Sequence, residues 1–164
     1  MSASSHAEER CGLLSNTNAG DAPRFRILDR FGHDAFLDMQ TCLVWDLEVS
    51  AERQALKDAM YLCANKGTGG PDGGFMGWRL PAMAELASLD TKDWAKQADA
   101  FKKYKLPPLV RSEAEFWTVT PWPSVPDTWA AVQFSGLTTV VYPKKQDGTG
   151  SAWCVRGVPA TGLQ

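Results

Sequence analysis

Few residues in this chain could do chemistry, and their spacing limits what kind. The four cysteines are Cys11, Cys42, Cys63 and Cys154. An even number at wide spacing suits two disulfides, and no C-x-x-C is present to suggest a zinc knuckle or a thioredoxin-type pair. The alternative is four buried free thiols in a cytosolic protein. The two histidines are His6, in a polar N-terminal stretch, and His33, in a turn-like stretch. A Ser-His-Asp or Cys-His site would depend on His33 alone, which reads as a surface residue. There is no H-E-x-x-H and no second internal histidine to share a metal. The glycine run Gly67–Gly74 lacks the G-x-x-x-x-G-K-[ST] spacing that cradles phosphate and reads as a connection. The expectation is a protein with no catalytic residue, no metal and no cofactor.

Binding is the remaining chemistry, and two stretches suit it. In "TPWPSVPDTW", Trp122 stands between two prolines, where regular structure cannot bury it. It can stack on a sugar face or fill a partner's pocket, or fold back as a lid on the core. Asp127 lies in the same loop. Lys144 and Lys145 form one basic stretch, and Lys102, Lys103 and Lys105 form another. If the two meet they make an anion patch; otherwise they are a loop tip and a solvated helix end. The candidate binding residues are therefore Trp122, Asp127, Lys144 and Lys145.

The elements that must hold these residues follow from composition and pattern. The chain has 164 residues, 44% of them hydrophobic, with seven tryptophans and a formal charge of -2. That suits one core in one domain and argues against nucleic acid as the main partner. No apolar run approaches the ~20 residues of a membrane span. Residues 1–22 read as a polar tail and 23–164 as the domain. Alternation predicts a strand in "RFRILDRF", two more around the turn Asp38–Thr41, and strands in "EFWTVT", "WAAVQF", "LTTVVY" and "AWCVRGV". Ser135-Gly136 reads as a two-residue hairpin turn. A helix is expected after an N-cap at Ser50, with Leu56, Ala59, Met60 and Cys63 on its buried stripe and a stop at Asn65-Lys66-Gly67. Pro81 suits the first position of a second helix, and Asp93–Lys105 reads as a third. Trp45, Trp117, Trp129 and Trp153 read as core. The fold class is α+β.

Five segments occur in a telling order: "RFRILDRFGHDAFLDMQTCLVW", "GWRLPAMAELASL", "FWTVT", "WAAVQFSG" and "WCVRG". Together they resemble the Lcl C-terminal domain family, from about Phe25 to Gly157. The resemblance implies a C-type-lectin-like fold, with two main helices packed on a small twisted antiparallel sheet and long loops. It implies an exported or surface-exposed bacterial protein, in the extracellular space, cell surface or periplasm, and a role in adhesion that includes binding sulfated glycosaminoglycans. Three features depart from the family pattern: Cys42 in place of a glycine, "WTVT" in place of "WSST", and the basic helical segment near Lys102.

The family's helix cysteine and "CVRG" cysteine match Cys63 and Cys154, so a bridge between them is implied. It would close a loop of about 90 residues, worth roughly 4–5 kcal/mol in the chain-entropy model. Cys11 and Cys42 can form a second bridge that staples the tail to the sheet. Trp78, Arg79 and Pro81 read as frame, with Arg79 a structural partner for backbone carbonyls or a carboxylate. Calcium-dependent sugar binding lacks its Glu-Pro-Asn-like triplet, and Asp72 and Asp127 read as turn acids. The function expected is a non-catalytic module that recognises a glycan or a protein partner through its loops, Pro121–Thr128 and Tyr142–Ser151. Two alternatives stand beside it: a structural subunit of a bacterial or phage assembly, with homo-oligomers possible, and a thiol-dependent oxidase of the formylglycine-generating type.

Overall fold

Strands form where β-branched and aromatic residues alternate with polar ones. In the computed structural model these are β1 (Phe25–Ile27), β2 (Ala35–Asp38), β3 (Val44–Val49), β4 (Trp78–Arg79), β5 (Glu115–Pro121), β6 (Thr128–Ser135), β7 (Thr138–Lys145) and β8 (Trp153–Arg156). Two short helices, α1 (Leu56–Ala64) and α2 (Met83–Ala87), complete the described elements. The structure describes residues 24–28, 31, 34–67, 76–90, 114–135 and 138–157. The expected tail at 1–22, both histidines, the third helix at 93–105 and most of the glycine run lie outside them.

The strands make a five-stranded sheet, β1-β2-β3-β8-β4, and a three-stranded sheet, β5-β6-β7. Register sorts the side chains into two cores. Phe36 pairs with Ile27 and Trp45, and Trp45 with Val155. That face meets Phe116, Val132 and Phe134 of the second sheet together with Leu86 and Leu89. The alternate residues Leu37 and Val44 face the other way, onto Leu56, Ala59 and Cys63 of α1 and onto Trp117. A one-residue slip would exchange the two sets, so both cores fix the register. Trp45, Trp117 and Trp153 are fully buried, and Trp129 packs partly buried against the second core.

Several local expectations are corrected. The first helix does not begin at Ser50. Its cap position is Ala55, with no side-chain cap. The Ser50 hydroxyl is already engaged: it accepts from the Ala152 N–H and donates to the Glu52 carbonyl, and Gln54 makes a β-bridge with Gly150. Those contacts tie residues 50–54 to the segment at 150–152 in a non-helical path, so the helix starts only at Leu56. Met60 is 47% exposed rather than on the buried stripe. Pro81 precedes the second helix instead of opening it, and its carbonyl accepts from the Val119 N–H at 2.9 Å. Ser135 pairs opposite Thr138 as the last residue of β6, so it is a strand residue and not the turn residue expected.

Candidate functional site

The two candidate loops start from facing strand ends, and the second is shorter than expected: Tyr142–Lys145 are paired strand residues of β7, so the loop begins at Gln146. Thr128 pairs with Lys145 and Trp129 with Lys144 along the β6–β7 ladder. The Trp122 backbone N–H donates to the Thr128 carbonyl at 2.8 Å, and the Gln146 N–H donates to the Asp127 carbonyl at 3.1 Å. These bonds bring Trp122, Asp127 and Lys145 to one end of the small sheet. Trp122 is half-buried, and Ser124, Asp127 and Lys145 are exposed. Ser124 and Asp127 adopt positive φ, 63° and 52°. Left-handed backbone at a non-glycine residue is uncommon, although Asp tolerates it better than most. The loop is thus held in one shape by backbone bonds rather than by burial.

Lys144 sits differently. Its Nζ lies 2.7 Å from Glu115 Oε2 and 5.6 Å from the centre of the Trp117 ring. Arg53 also pairs with Glu115 and donates to the Thr149 carbonyl at 2.8 Å. The Lys144 hydrogen bond, with Tyr142 and Arg53 adding to it, holds the Glu115 carboxyl down at about 2. Such a carboxylate stays ionised and cannot supply a proton near neutral pH. Lys144 is therefore a brace between β7 and β5, and Arg53 ties the same carboxylate to the loop at Thr149. Of the four candidate binding residues, Lys145, Asp127 and Trp122 keep a free face.

The frame residues show why the "GWRLP" and "CVRG" stretches belong together. Arg79 grips Glu85 in a fork, Nη1 to Oε2 and Nη2 to Oε1, both at 2.7 Å. Its Nη2 also donates to the Gly157 carbonyl at 2.9 Å and its Nη1 to the Leu80 carbonyl at 3.2 Å. Glu85 in turn accepts from the Ala82 N–H at 2.8 Å, which anchors the start of α2. Gly77 and Gly157, at φ 90° and 101°, take backbone angles that side-chain-bearing residues rarely adopt. Trp78 is buried, with only 3% exposed.

Sequence reasoning missed two further charged sites. Arg24 grips the fully buried Asp38 in a second fork, at 2.8 and 2.7 Å. Asp46, 1% exposed, has Lys66 Nζ 2.6 Å from its Oδ2, an ion pair off the line of a regular hydrogen bond. Burial raises the Asp46 carboxyl to about 6, against the opposing pull of Lys66. The available signal was an aspartate inside an apolar strand run, "FLDM" and "VWDL". Beside Lys66 lies a cleft of about 500 Å³ between the end of β3 and α1, lined by Glu48, Ser50, Glu52, Gln54 and Leu62 among others.

Cys63 of α1 and Cys154 of β8 are joined by a disulfide. Both are buried, so the bond ties the helix to the sheet from inside the second core. Cys42 is also disulfide-bonded, while its expected partner Cys11 lies outside the described residues. A bonded cysteine is no nucleophile, which bears against a resting thiol at these three positions. Among the described residues no group of three or more His, Cys, Asp or Glu is placed to hold a metal. No helix among them is long and apolar enough to cross a membrane. No curated protein and no solved structure matches the chain. The family model of the Lcl C-terminal domain matches residues 34–156, from β2 through β8, and the chain belongs to that family.

Proposed function

We propose that this domain is a non-catalytic recognition module with a C-type-lectin-like arrangement, displayed outside the cytoplasm. The family and the buried disulfide point to an extracellular or envelope protein. The observation that carries the binding reading is the joined pair of loops at 121–128 and 146–151, with Trp122, Asp127 and Lys145 gathered at one sheet end. A half-buried indole beside an exposed ammonium and a carboxylate suits a glycan, with the ring on an apolar sugar face and the charges on its polar groups. A protein partner could use the same loops. Sulfated polysaccharide needs more cations than Lys145 alone, because Lys144 is engaged by Glu115.

The test is retention on heparin and binding to a panel of neutral and sulfated oligosaccharides, with Trp122→Ala and Lys145→Ala alongside. Binding that falls at least about tenfold in Trp122→Ala, with melting unchanged, supports the loop site. Binding indifferent to both changes sinks it. A second reading, as a subunit of a larger assembly, is favoured by the exposed apolar side chains of α1: Met60 (47%), Tyr61 (71%) and Leu62 (36%). Purification from the native source in a fixed stoichiometric complex that Tyr61→Ser disrupts would support that reading.

A further inference from the structure

Lys66 stands just beyond α1, where the helix ends against β3. Its Nζ is 2.6 Å from Asp46 Oδ2 and 3.6 Å from Glu48 Oε2. Asp46 is buried and Glu48 is exposed, with side chains 1% and 84% accessible. Asp46 has one other donor, the Glu48 N–H at 3.1 Å on Oδ1. The ionisable groups that act on it are Lys66, from the end of α1, and Glu48, two residues along its own strand. Opposite it on β2 is Ala35, which offers neither charge nor donor side chain. The Trp153 indole N–H goes to the Asp46 carbonyl and not to its carboxylate.

We propose that Asp46, Lys66 and Glu48 form an acid-released latch, which pins the C-terminal end of α1 to β3 at neutral pH and lets it go on mild acidification. The reason is the energy of the released state. With Asp46 ionised, withdrawing Lys66 leaves a buried charge without a counter-ion, which is costly. With Asp46 protonated, withdrawing Lys66 leaves a neutral carboxylic acid, and Lys66 can turn to Glu48 and solvent. Opening is thus coupled to proton uptake, and acid favours it. Burial already raises the Asp46 carboxyl to about 6, which sets the release within the mildly acidic range. Lys66 and Leu62 also line the cleft beside β3, so release changes the charge and shape of that wall.

The last helical turn reports on the latch through two amides. The Asn65 N–H donates to the Tyr61 carbonyl and the Lys66 N–H to the Cys63 carbonyl, both at 3.1 Å. Amide exchange of the whole chain, corrected for intrinsic rate, should show protection at Asn65 and Lys66 falling about tenfold between roughly pH 7.5 and pH 5. Amides of β6 should not lose protection over that range. Asp46→Asn should show the low protection at both pH values, and so should Lys66→Gln. Exchange at Asn65 and Lys66 that ignores pH in the wild type overturns the latch, as does full protection in a folded Asp46→Asn. If neither variant folds, carboxyl and ammonium NMR shifts of the wild type decide. Asp46 and Lys66 must move with one shared midpoint near about pH 6, and separate or absent transitions refute the coupling.

Discussion

Three carboxylates are buried among the described residues, and they do opposite things. Asp38 accepts two bonds from Arg24, one from the Gln40 N–H and one from the Thr41 hydroxyl. Glu85 accepts two from Arg79 and one from the Ala82 N–H. Asp46 has a single off-line ammonium and the Glu48 N–H. Guanidinium forks match a carboxylate in shape as well as charge, so the first two sites are struts that fix register and chain direction. An ammonium on a flexible stem does neither, and burial then dominates at Asp46. The degree of satisfaction, rather than burial itself, separates the two struts from the looser joint at Asp46.

The comparison can be broken at Arg24. Its side chain is only 7% exposed, so Arg24→Ala leaves the Asp38 charge stranded with little water to replace the fork. A loss of about 3–5 kcal/mol in denaturant unfolding is expected. Arg79→Ala should cost less, about 2–3 kcal/mol, because that side chain is 36% exposed and water can enter. Melting temperature should fall in both before any binding change is seen. If Arg79→Ala costs more than Arg24→Ala, exposure is the wrong measure of these struts.

Asp46 should behave in the contrary sense. Its folded carboxyl, at about 6, lies above the ordinary 3.8, so the native state holds the proton more tightly than the unfolded chain does. Stability then rises as pH falls from about 6 towards about 4, by on the order of 1–3 kcal/mol. Asp46→Asn should flatten that rise and leave stability at neutral pH equal or greater. Glu115 runs the other way. Held at about 2 against an ordinary 4.5, it adds stability above about pH 4.5 that disappears as pH falls through about 2. Glu115→Gln should cost roughly 1 kcal/mol at neutral pH, discounted because the site is partly open to water. Unfolding curves across this range separate the two groups, since their slopes have opposite sign. A destabilised Asp46→Asn at pH 7 would place Asp46 among the struts.

What could be read from the sequence divides along the same line. The strands other than β4, the turn at Asp38–Thr41 and the buried Trp45, Trp117 and Trp153 follow from alternation, because a period-two pattern fixes which face is apolar; β4, two residues long, is too short to show one. Spacing and pattern placed Cys63 on the buried side of α1 and Cys154 on β8, but their pairing came from family likeness. The start of α1 was not legible, since Ser50 looks like a cap until Ala152, about a hundred positions away, takes its hydroxyl. Lys144 likewise looked like its neighbour Lys145. Only strand pairing turns one toward Glu115 and leaves the other in solvent, and that pairing joins segments about thirty residues apart. Local propensity is written locally. The partner of a charge is decided by tertiary register, which no short window contains.

The smallest expected effect on stability, and the largest on recognition, belongs to the loop that follows β5. Trp122 is half-buried, and the bond that holds its backbone, to the Thr128 carbonyl, survives any side-chain change. Trp122→Ala should therefore cost no more than about 1 kcal/mol. The positive φ at Asp127 offers a sharper probe, because Asp127→Gly relieves that backbone while removing the carboxylate. If the carboxylate touches ligand, Asp127→Gly should raise melting slightly and weaken binding, whereas Asp127→Asn should weaken binding with melting unchanged. Should both variants bind as the wild type does, Asp127 is a turn residue only, and the recognition surface narrows to Trp122 and Lys145. Calorimetry and oligosaccharide titration on the same samples distinguish these cases, since a strut fails in both measurements and a contact residue fails in one.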